Sequence, residues 1–351
     1  MIKAGVYGGS GYMGGEVLRV LLEHPEVEIV WATSRGEREL DYFHRNLTGS
    51  GLRFIKPEQA TFCDVVFAAL PTGQIMKQAR GLLDQGTKVI DLGADFRLRD
   101  RENWERIYGR EHSDWQLAGE AVYGIPELHR EGIRKARVIA NPGCFSSAAI
   151  LGLAPLVKNG LIDTGKIIID GLSGTAGAGA ETDRPLHHPE IGNNLLPYNV
   201  VDHRHTYEIE QELGLLSKTE VSVHFTTTYV PITRGILDIC HCFPKLRTSR
   251  EELLNLYKEF YQAEMFVKII DTPKEQGVSW QYVPYPWVAA VSGTNFCHIG
   301  LDVDEKRGRI VIFSVLDSIG KGGAHVALQN MNLMFGLDES SGLKRYGLHP
   351  Y

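Results

Sequence analysis

The first 32 residues constrain the fold more than any other part of the chain. Ile2 to Tyr7 is short, mostly apolar and strand-like, and it runs into Gly8-Gly9-Ser10-Gly11-Tyr12-Met13-Gly14-Gly15, with glycines at 8, 11 and 14 in G-x-x-G-x-x-G spacing. Val17, Leu18, Leu21 and Leu22 then mark one apolar helical face that ends at His24-Pro25, and Val27 to Ala32 reads as a second strand. This is a βαβ unit with its glycines at the first strand–helix junction. There they permit a tight turn and let backbone N–H groups approach a pyrophosphate. A glycine pattern alone is weak evidence, but strand, helix and strand in this order make it a dinucleotide site. Gly8, Ser10, Gly11, Tyr12 and Met13 are its candidate contacts.

The end of the second strand bears on which dinucleotide is bound. An NAD site usually has Asp or Glu there, on the ribose hydroxyls. This chain has Thr33-Ser34-Arg35 instead. Two hydroxyls and a guanidinium suit a 2′-phosphate, and no carboxylate repels it, so NADP is expected over NAD.

A second motif carries chemistry. Asn141-Pro142-Gly143-Cys144 follows an apolar run, Ala136 to Ala140, and precedes a helical stretch, Phe145 to Lys158, in which Pro155 should introduce a kink. Cys144 therefore stands where a strand turns into a helix. The helix N-terminus favours a thiolate there, which is a nucleophile for acyl groups. A buried structural cysteine is the alternative. His203-Arg204-His205, just before a helix expected over 207–213, offers a general acid–base partner in one of its two histidines. Arg234, in the turn Pro231-Ile232-Thr233-Arg234-Gly235, suits bidentate carboxylate binding. Arg97 ends a strand and is a candidate for phosphate or for a structural ion pair. Cys240-His241-Cys242 lies on an alternating strand with no second ligand cluster, so core packing is preferred and no metal is expected.

Strands at 63–70, 88–92 and 136–140, with a helix at 74–85, continue the alternation and imply a parallel sheet whose site lies at the carboxyl ends of its strands. Beyond Cys144 come strands at 166–170, 221–230 and 235–243, a capped helix from Ser249 to about 261, a hairpin over 298–315 and a final helix over 321–335. The fold class is α/β: a Rossmann-type NADP-binding domain plus an α+β catalytic domain with a mixed or antiparallel sheet. Residues 1–144 and 318–351 are assigned to the first, and 145–317 to the second. At 351 residues, 43% hydrophobic and 23% charged, the composition is that of a globular protein. A net charge of −6 argues against nucleic acid as a partner. The chain opens on a strand, with no export signal or membrane-length apolar run. Its five cysteines form no paired framework, so a reducing cytoplasm is expected.

With these residues in view, the chain resembles the N-acetyl-gamma-glutamyl-phosphate reductases of arginine biosynthesis along its whole length. The likeness runs through Gly8 to Tyr12, Val89 to Arg97, Tyr123 to Leu128, Asn141 to Cys144, Tyr198 to Val200 and His203 to His205. It continues through Pro231 to Gly235, Gly293 to Asn295 and Gln329 to Asn332. The resemblance implies NADPH-dependent reduction of N-acetyl-L-glutamyl 5-phosphate to the 5-semialdehyde through a Cys144 thioester. Pro71, Ser173, Gly174 and Asn330 join the expected cofactor contacts. A more distant likeness to aspartate-semialdehyde dehydrogenase places Arg97 and Asn141 near the phosphate. A homodimer or homotetramer is the expected assembly. Two positions depart from the family pattern: Ala176, where serine is more usual, and Val326, where an amide side chain is usual. His187-His188-Pro189-Glu190 resembles a sister group that reduces a carrier-protein-bound aminoadipate phosphate, which is the alternative substrate. An inactive dinucleotide-binding regulator is the alternative class.

Overall fold

The computed structural model describes residues 1–36, 39–272 and 284–349. Contacts divide them into two compact units, Met1–Pro142 with Gly323–Lys344, and Gly143–Gly322 with the described residues from Arg345 onward.

The first unit is built on a sheet of seven strands: β1 (Ile2–Tyr7), β2 (Val27–Thr33), β3 (Phe54–Ile55), β4 (Val65–Ala68), β5 (Lys88–Asp91), β6 (Val122–Tyr123) and β7 (Val138–Ala140). Their order is β3-β2-β1-β4-β5-β7-β6, and every pairing is parallel. Val65, Val66, Phe67 and Ala68 are fully buried, as expected of a central parallel strand covered on both faces. Strand order reverses at β1 and β4, and the crevice at their carboxyl ends is where such sheets bind ligands. The glycine-loop helix, Tyr12–Leu22, packs on β2 and on the terminal helix, His325–Met334. Buried Glu16 receives His325 Nε2 at 2.8 Å and both Nε and Nη2 of Arg19, so the two helices share a hydrogen-bonded core. Every residue of the terminal helix is buried.

The expected helix at 74–85 is instead a 3-10 turn, Ile75–Lys77, and a short helix, Ala79–Asp84. Asp95 takes the amides of Gly73 (2.5 Å) and Met76 (3.0 Å), and Gln78 leaves helical geometry at φ −125°. The final helix also starts late, because Gly320–Ala324 forms a π-helical turn ahead of it.

The second unit carries a mixed sheet: β8 (Ile167–Ser173), β9 (Leu196–Tyr198), β10 (Val223–Tyr229), β11 (Ile236–Cys242), β12 (Val267–Ile269), β13 (Cys297–Asp304) and β14 (Arg309–Leu316). Their order is β12-β13-β14-β11-β8-β10-β9, with β8–β10 and β12–β13 parallel and the other pairs antiparallel. The helix Cys144–Lys158 lies across β11 and β14, with residues 145–157 all buried. Helix Arg204–Ser217 packs against it. Cys240 and Cys242 face this core, and His241 takes the other side of β11.

The helix Cys144–Lys158 runs on through Pro155. Proline has no N–H for the carbonyl four residues earlier. That carbonyl, Leu151 O, accepts from Tyr261 Oη at 2.5 Å, and Gly152 O accepts from Tyr257 Oη at 2.5 Å. Both tyrosines are buried, at the end of and just beyond the helix Arg250–Phe260, whose Ser249–Glu252 capping box is formed.

Candidate active site

At the carboxyl end of β1, Gly8 adopts φ +71°, and a Cβ there would lie 2.1 Å from Ala69 O. A Cβ on Gly14 would lie 2.2 Å from Gly8 O. Only glycine fits at either position, so the loop stays low over the sheet. The helix Tyr12–Leu22 starts at Gly11 with no side-chain cap, which leaves its first amides for an anion. This glycine cradle fits a dinucleotide pyrophosphate. Ser10 and Met13 are half-buried beside it, and Tyr12 is exposed.

Thr33 shapes that cradle directly. It is buried, its Oγ1 accepts from the Gly8 amide at 3.3 Å, and its carbonyl accepts from Gly9 N at 2.9 Å. Ser34 is also buried and holds the Gly36 amide, which leaves Arg35 as the exposed member of the triplet. Beyond Gly36 a cavity of about 260 Å³ is bordered by Glu39, Arg53, Phe54, Lys56 and Gln59. Sequence reading passed over Arg53 and Lys56, because isolated basic residues beside a very short strand carry no pattern. Pro71 is exposed just beyond β4.

The segment from Asp91 to Arg97 is a knot of buried polar groups. The Asp91 carboxylate accepts the amides of Gly93 (2.7 Å) and Asp95 (2.9 Å). Burial, reinforced by neighbouring Asp95, pushes its carboxyl well above the usual range. Arg97 is buried, with Nε on Asn141 O at 2.8 Å and Nη2 on Leu92 O at 3.3 Å, which ties together the ends of β5 and β7. The Asn141 side chain donates to Gly323 O at 3.0 Å. Asn330 donates to Gly124 O at 2.9 Å and lies 3.4 Å from Asn141 Oδ1. Both asparagines are thus built into the frame of the first unit.

In the second unit Cys144 is the first residue of its helix and half-buried. Gly143 caps that helix through backbone alone, and its amide donates to Glu208 Oε2 at 3.0 Å. A Cβ on Gly143 would lie 2.4 Å from His205 Nε2, so the imidazole rests directly on the backbone that carries the cysteine. His205 Nε2 also stands 3.9 Å from Glu208 Oε1. Glu208 is three residues along the same helix, fully buried, and belongs to the site although the sequence reading omitted it. The signal was its i,i+3 spacing from His205.

The two histidines have different environments. His203 Nδ1 accepts from the His205 amide at 3.1 Å, so His203 is the N-cap of the helix Arg204–Ser217. Its ring stands edge-on to Phe145, Tyr198 and Phe225. Burial, with Arg204 beside it, pushes it down to about 4, so it is neutral near pH 7. Tyr198 stacks on Tyr229 with ring centroids 4.0 Å apart. Burial, neighbouring Tyr229 and then Cys144 push the Tyr198 hydroxyl far up.

Ser173 ends β8 and bonds the Gly174 carbonyl at 2.9 Å. The amides of Thr175 and Ala176 donate to Ile232 O and Thr233 O, at 3.0 and 2.9 Å, so the glycine-rich loop and the Arg234 turn are laced together. Arg234 Nε meets buried Asp317 at 2.8 Å. His187 and His188 are exposed on the surface.

Two family models match: a semialdehyde dehydrogenase NAD binding domain over residues 3–136, and a semialdehyde dehydrogenase dimerisation domain over residues 144–318. Among solved structures, aspartate semialdehyde dehydrogenase II of Vibrio cholerae complexed with ASA superposes with a TM-score of 0.70 at 17% identity, covering 96% of this chain and 98% of that one. The Candida albicans enzyme with NADP superposes at 0.65 with 15% identity, covering 95% and 98%. Fold and matches define an NADP-dependent oxidoreductase of the semialdehyde dehydrogenase class. Within that class, N-acetyl-gamma-glutamyl-phosphate reductases of Methanopyrus kandleri and Desulforudis audaxviator are 44% and 42% identical to this chain, in each case over all of both chains. The chain belongs to the N-acetyl-gamma-glutamyl-phosphate reductase family.

Proposed function

We propose that the chain reduces N-acetyl-L-glutamyl 5-phosphate to N-acetyl-L-glutamate 5-semialdehyde, with Cys144 as nucleophile and His205 as acid–base. The observation that carries this is the packing of His205 Nε2 and the Glu208 carboxylate around Gly143, the residue that presents Cys144. His205 takes the thiol proton and Glu208 favours the resulting imidazolium. The thiolate adds to the acyl carbon, the acyl–oxygen bond breaks, and the departing phosphate takes the proton from His205. A thioester on Cys144 remains. NADPH, when bound, would supply the hydride for that carbonyl carbon. The oxyanion then collapses, the carbon–sulfur bond breaks, and aldehyde and thiolate separate. The first amides of the helix Cys144–Lys158, uncapped by any side chain, hold the oxyanion while it exists.

Gly8, Ser10, Gly11, Tyr12 and Met13 would hold the pyrophosphate, and Arg35 the 2′-phosphate, on the frame that Thr33 and Ser34 build. Pro71, Ser173 and Gly174 would be further cofactor contacts, and Arg234 would bind the substrate carboxylate. Arg97 would bind the substrate phosphate, and Asn141 and Asn330 would act through the frame that seats it. The assembly is a homodimer or homotetramer, in keeping with the dimerisation-domain match.

The test is phosphate-dependent reduction of NADP with N-acetylglutamate semialdehyde, with and without an acidic carrier protein. Turnover of the free semialdehyde supports the reading. Activity confined to carrier-bound aminoadipate semialdehyde transfers it to the alternative substrate, which the exposed Arg184, His187 and His188 would suit.

A further inference from the structure

Asp317 has no part in the chemistry above, yet three segments of the second unit converge on it. It directly follows β14 and is fully buried. Its Oδ1 accepts the amides of Ile319 and Gly320, each at 3.0 Å, and its Oδ2 accepts the Gly293 amide at 2.5 Å. Arg234 Nε reaches both oxygens, at 3.1 Å and 2.8 Å. The Asp317 carbonyl accepts from Gly322 N at 2.9 Å. Gly322 in turn lies against the nucleophile: a Cβ there would be 2.7 Å from Cys144 Cβ.

One residue therefore fixes a guanidinium through its side chain and the seat of Cys144 through its backbone. The backbone around it is closely packed. Gly293 is held at φ +73°, and a Cβ on Gly320 would lie 2.7 Å from Thr294 O. Antiparallel pairing of β11 with β14 places Ile236 opposite Leu316, so Arg234 and Asp317 close the end of that ladder. With Nε committed to a buried carboxylate, the plane of the guanidinium is set before substrate arrives. A planar fork presents two parallel hydrogen bonds to a carboxylate only in a defined orientation. A bound geometry displaced by about 1 Å costs on the order of a hundredfold in rate.

We propose that Asp317 is a positioning residue that sets where the carboxylate held by Arg234 sits relative to the Cys144 sulfur. This rests on the reading of Arg234 as the carboxylate contact. The substrate class it selects is an acyl phosphate or aldehyde with a carboxylate at a fixed distance from the reacting carbon.

The experiment compares native enzyme, Asp317→Asn, Asp317→Glu and Arg234→Ala in the aldehyde-oxidising direction. Each is assayed with N-acetylglutamate semialdehyde and with a carboxylate-free aldehyde of the same length. Melting temperature and alkylation of Cys144 by neutral iodoacetamide are measured alongside. Asp317→Asn should raise KM for the carboxylated aldehyde about tenfold to a hundredfold, and leave KM for the carboxylate-free aldehyde unchanged. Alkylation should stay within about twofold, because the Gly322 amide is held by a backbone carbonyl that the substitution keeps. Asp317→Glu keeps the charge but pushes the guanidinium outward, so it should lower kcat more than it raises KM. Equal KM shifts for both aldehydes would overturn the proposal. So would native behaviour of Asp317→Asn beside an Arg234→Ala enzyme that has lost its preference for the carboxylated aldehyde. Failure of both Asp317 variants to fold would leave Asp317 a purely structural part and likewise overturn it. If Arg234→Ala keeps the preference, the underlying assignment of Arg234 fails, and the proposal with it.

Discussion

Gly143→Ala adds one methyl group and should cripple the enzyme without unfolding it. Gly143 has φ −71° and ψ 152°, a conformation alanine adopts without strain. The backbone is therefore indifferent to the change, and its amide still reaches Glu208 at 3.0 Å. The new methyl carbon, however, would stand 2.4, 2.7 and 2.8 Å from three atoms of the His205 ring. Ordinary carbon contacts begin near 3.5 Å, so the ring must retreat by about 1 Å. His205 is buried, so it has little room to do so. A displacement of that size between a base and its nucleophile costs on the order of a hundredfold in kcat. Steady-state kinetics and the pH dependence of Cys144 alkylation read the effect. kcat should fall about a hundredfold, and alkylation should need higher pH as the imidazolium moves off the thiolate. A Gly143→Ala enzyme with kcat within threefold of native and an unshifted alkylation profile would refute the assignment of His205 as acid–base.

Three further outcomes are expected. Cys144→Ser should lose several orders of magnitude in turnover while still binding NADPH, as read by kinetics and by fluorescence of the bound nucleotide; near-native turnover would rule out covalent catalysis. Arg35→Ala should weaken NADPH about tenfold to a hundredfold and NADH much less, by titration of both; equal losses would remove Arg35 from the 2′-phosphate. His203 is held below its unfolded value, down to about 4, so the unfolded state binds the extra proton. Its contribution to stability is present above about pH 6.5 and is lost as pH falls toward 4. His203→Asn keeps a capping acceptor and should lose less stability over that window in denaturant titrations; an unchanged slope would show that His203 is not held neutral.

The first unit was legible from the sequence because its signals are local. β1 coincides with its expected range, and β2 and β5 end within one residue of theirs, since central parallel strands are continuous apolar runs between glycine turns. Local pattern cannot show a segment whose amides are taken by a distant side chain, as Asp95 takes those of Gly73 and Met76 at the start of the helix expected at 74–85, nor the departure from helical geometry at Gln78. The short strands β3, β6, β9 and β12 were missed for a related reason. At two or three residues each, they are defined by their partners and not by any periodicity of their own. At the site, Cys144 and the histidine pair stood out by residue type and position. Glu208 and Asp317 did not, because a lone carboxylate in sequence looks like a solvated charge until burial and its partners are known. The same limit left His203 and His205 equivalent. Their separate places, as helix cap and as neighbour of Gly143, depend on which way each ring points.

Pro155 and Tyr261 bear on one carbonyl, Leu151 O, although they are far apart along the chain. The helix that begins at Cys144 loses a backbone donor at Pro155, and the phenol of Tyr261 replaces it on Leu151 O at 2.5 Å. Neither residue makes sense alone. A phenylalanine at 261 strands a buried carbonyl, and a residue with an N–H at 155 competes with the phenol for the same lone pairs. The two positions should accordingly vary together: relatives with an amide at 155 are free to lack the hydroxyl at 261, and those with the proline are not. A distant phenol thereby serves as part of the backbone ladder of the helix that begins at Cys144.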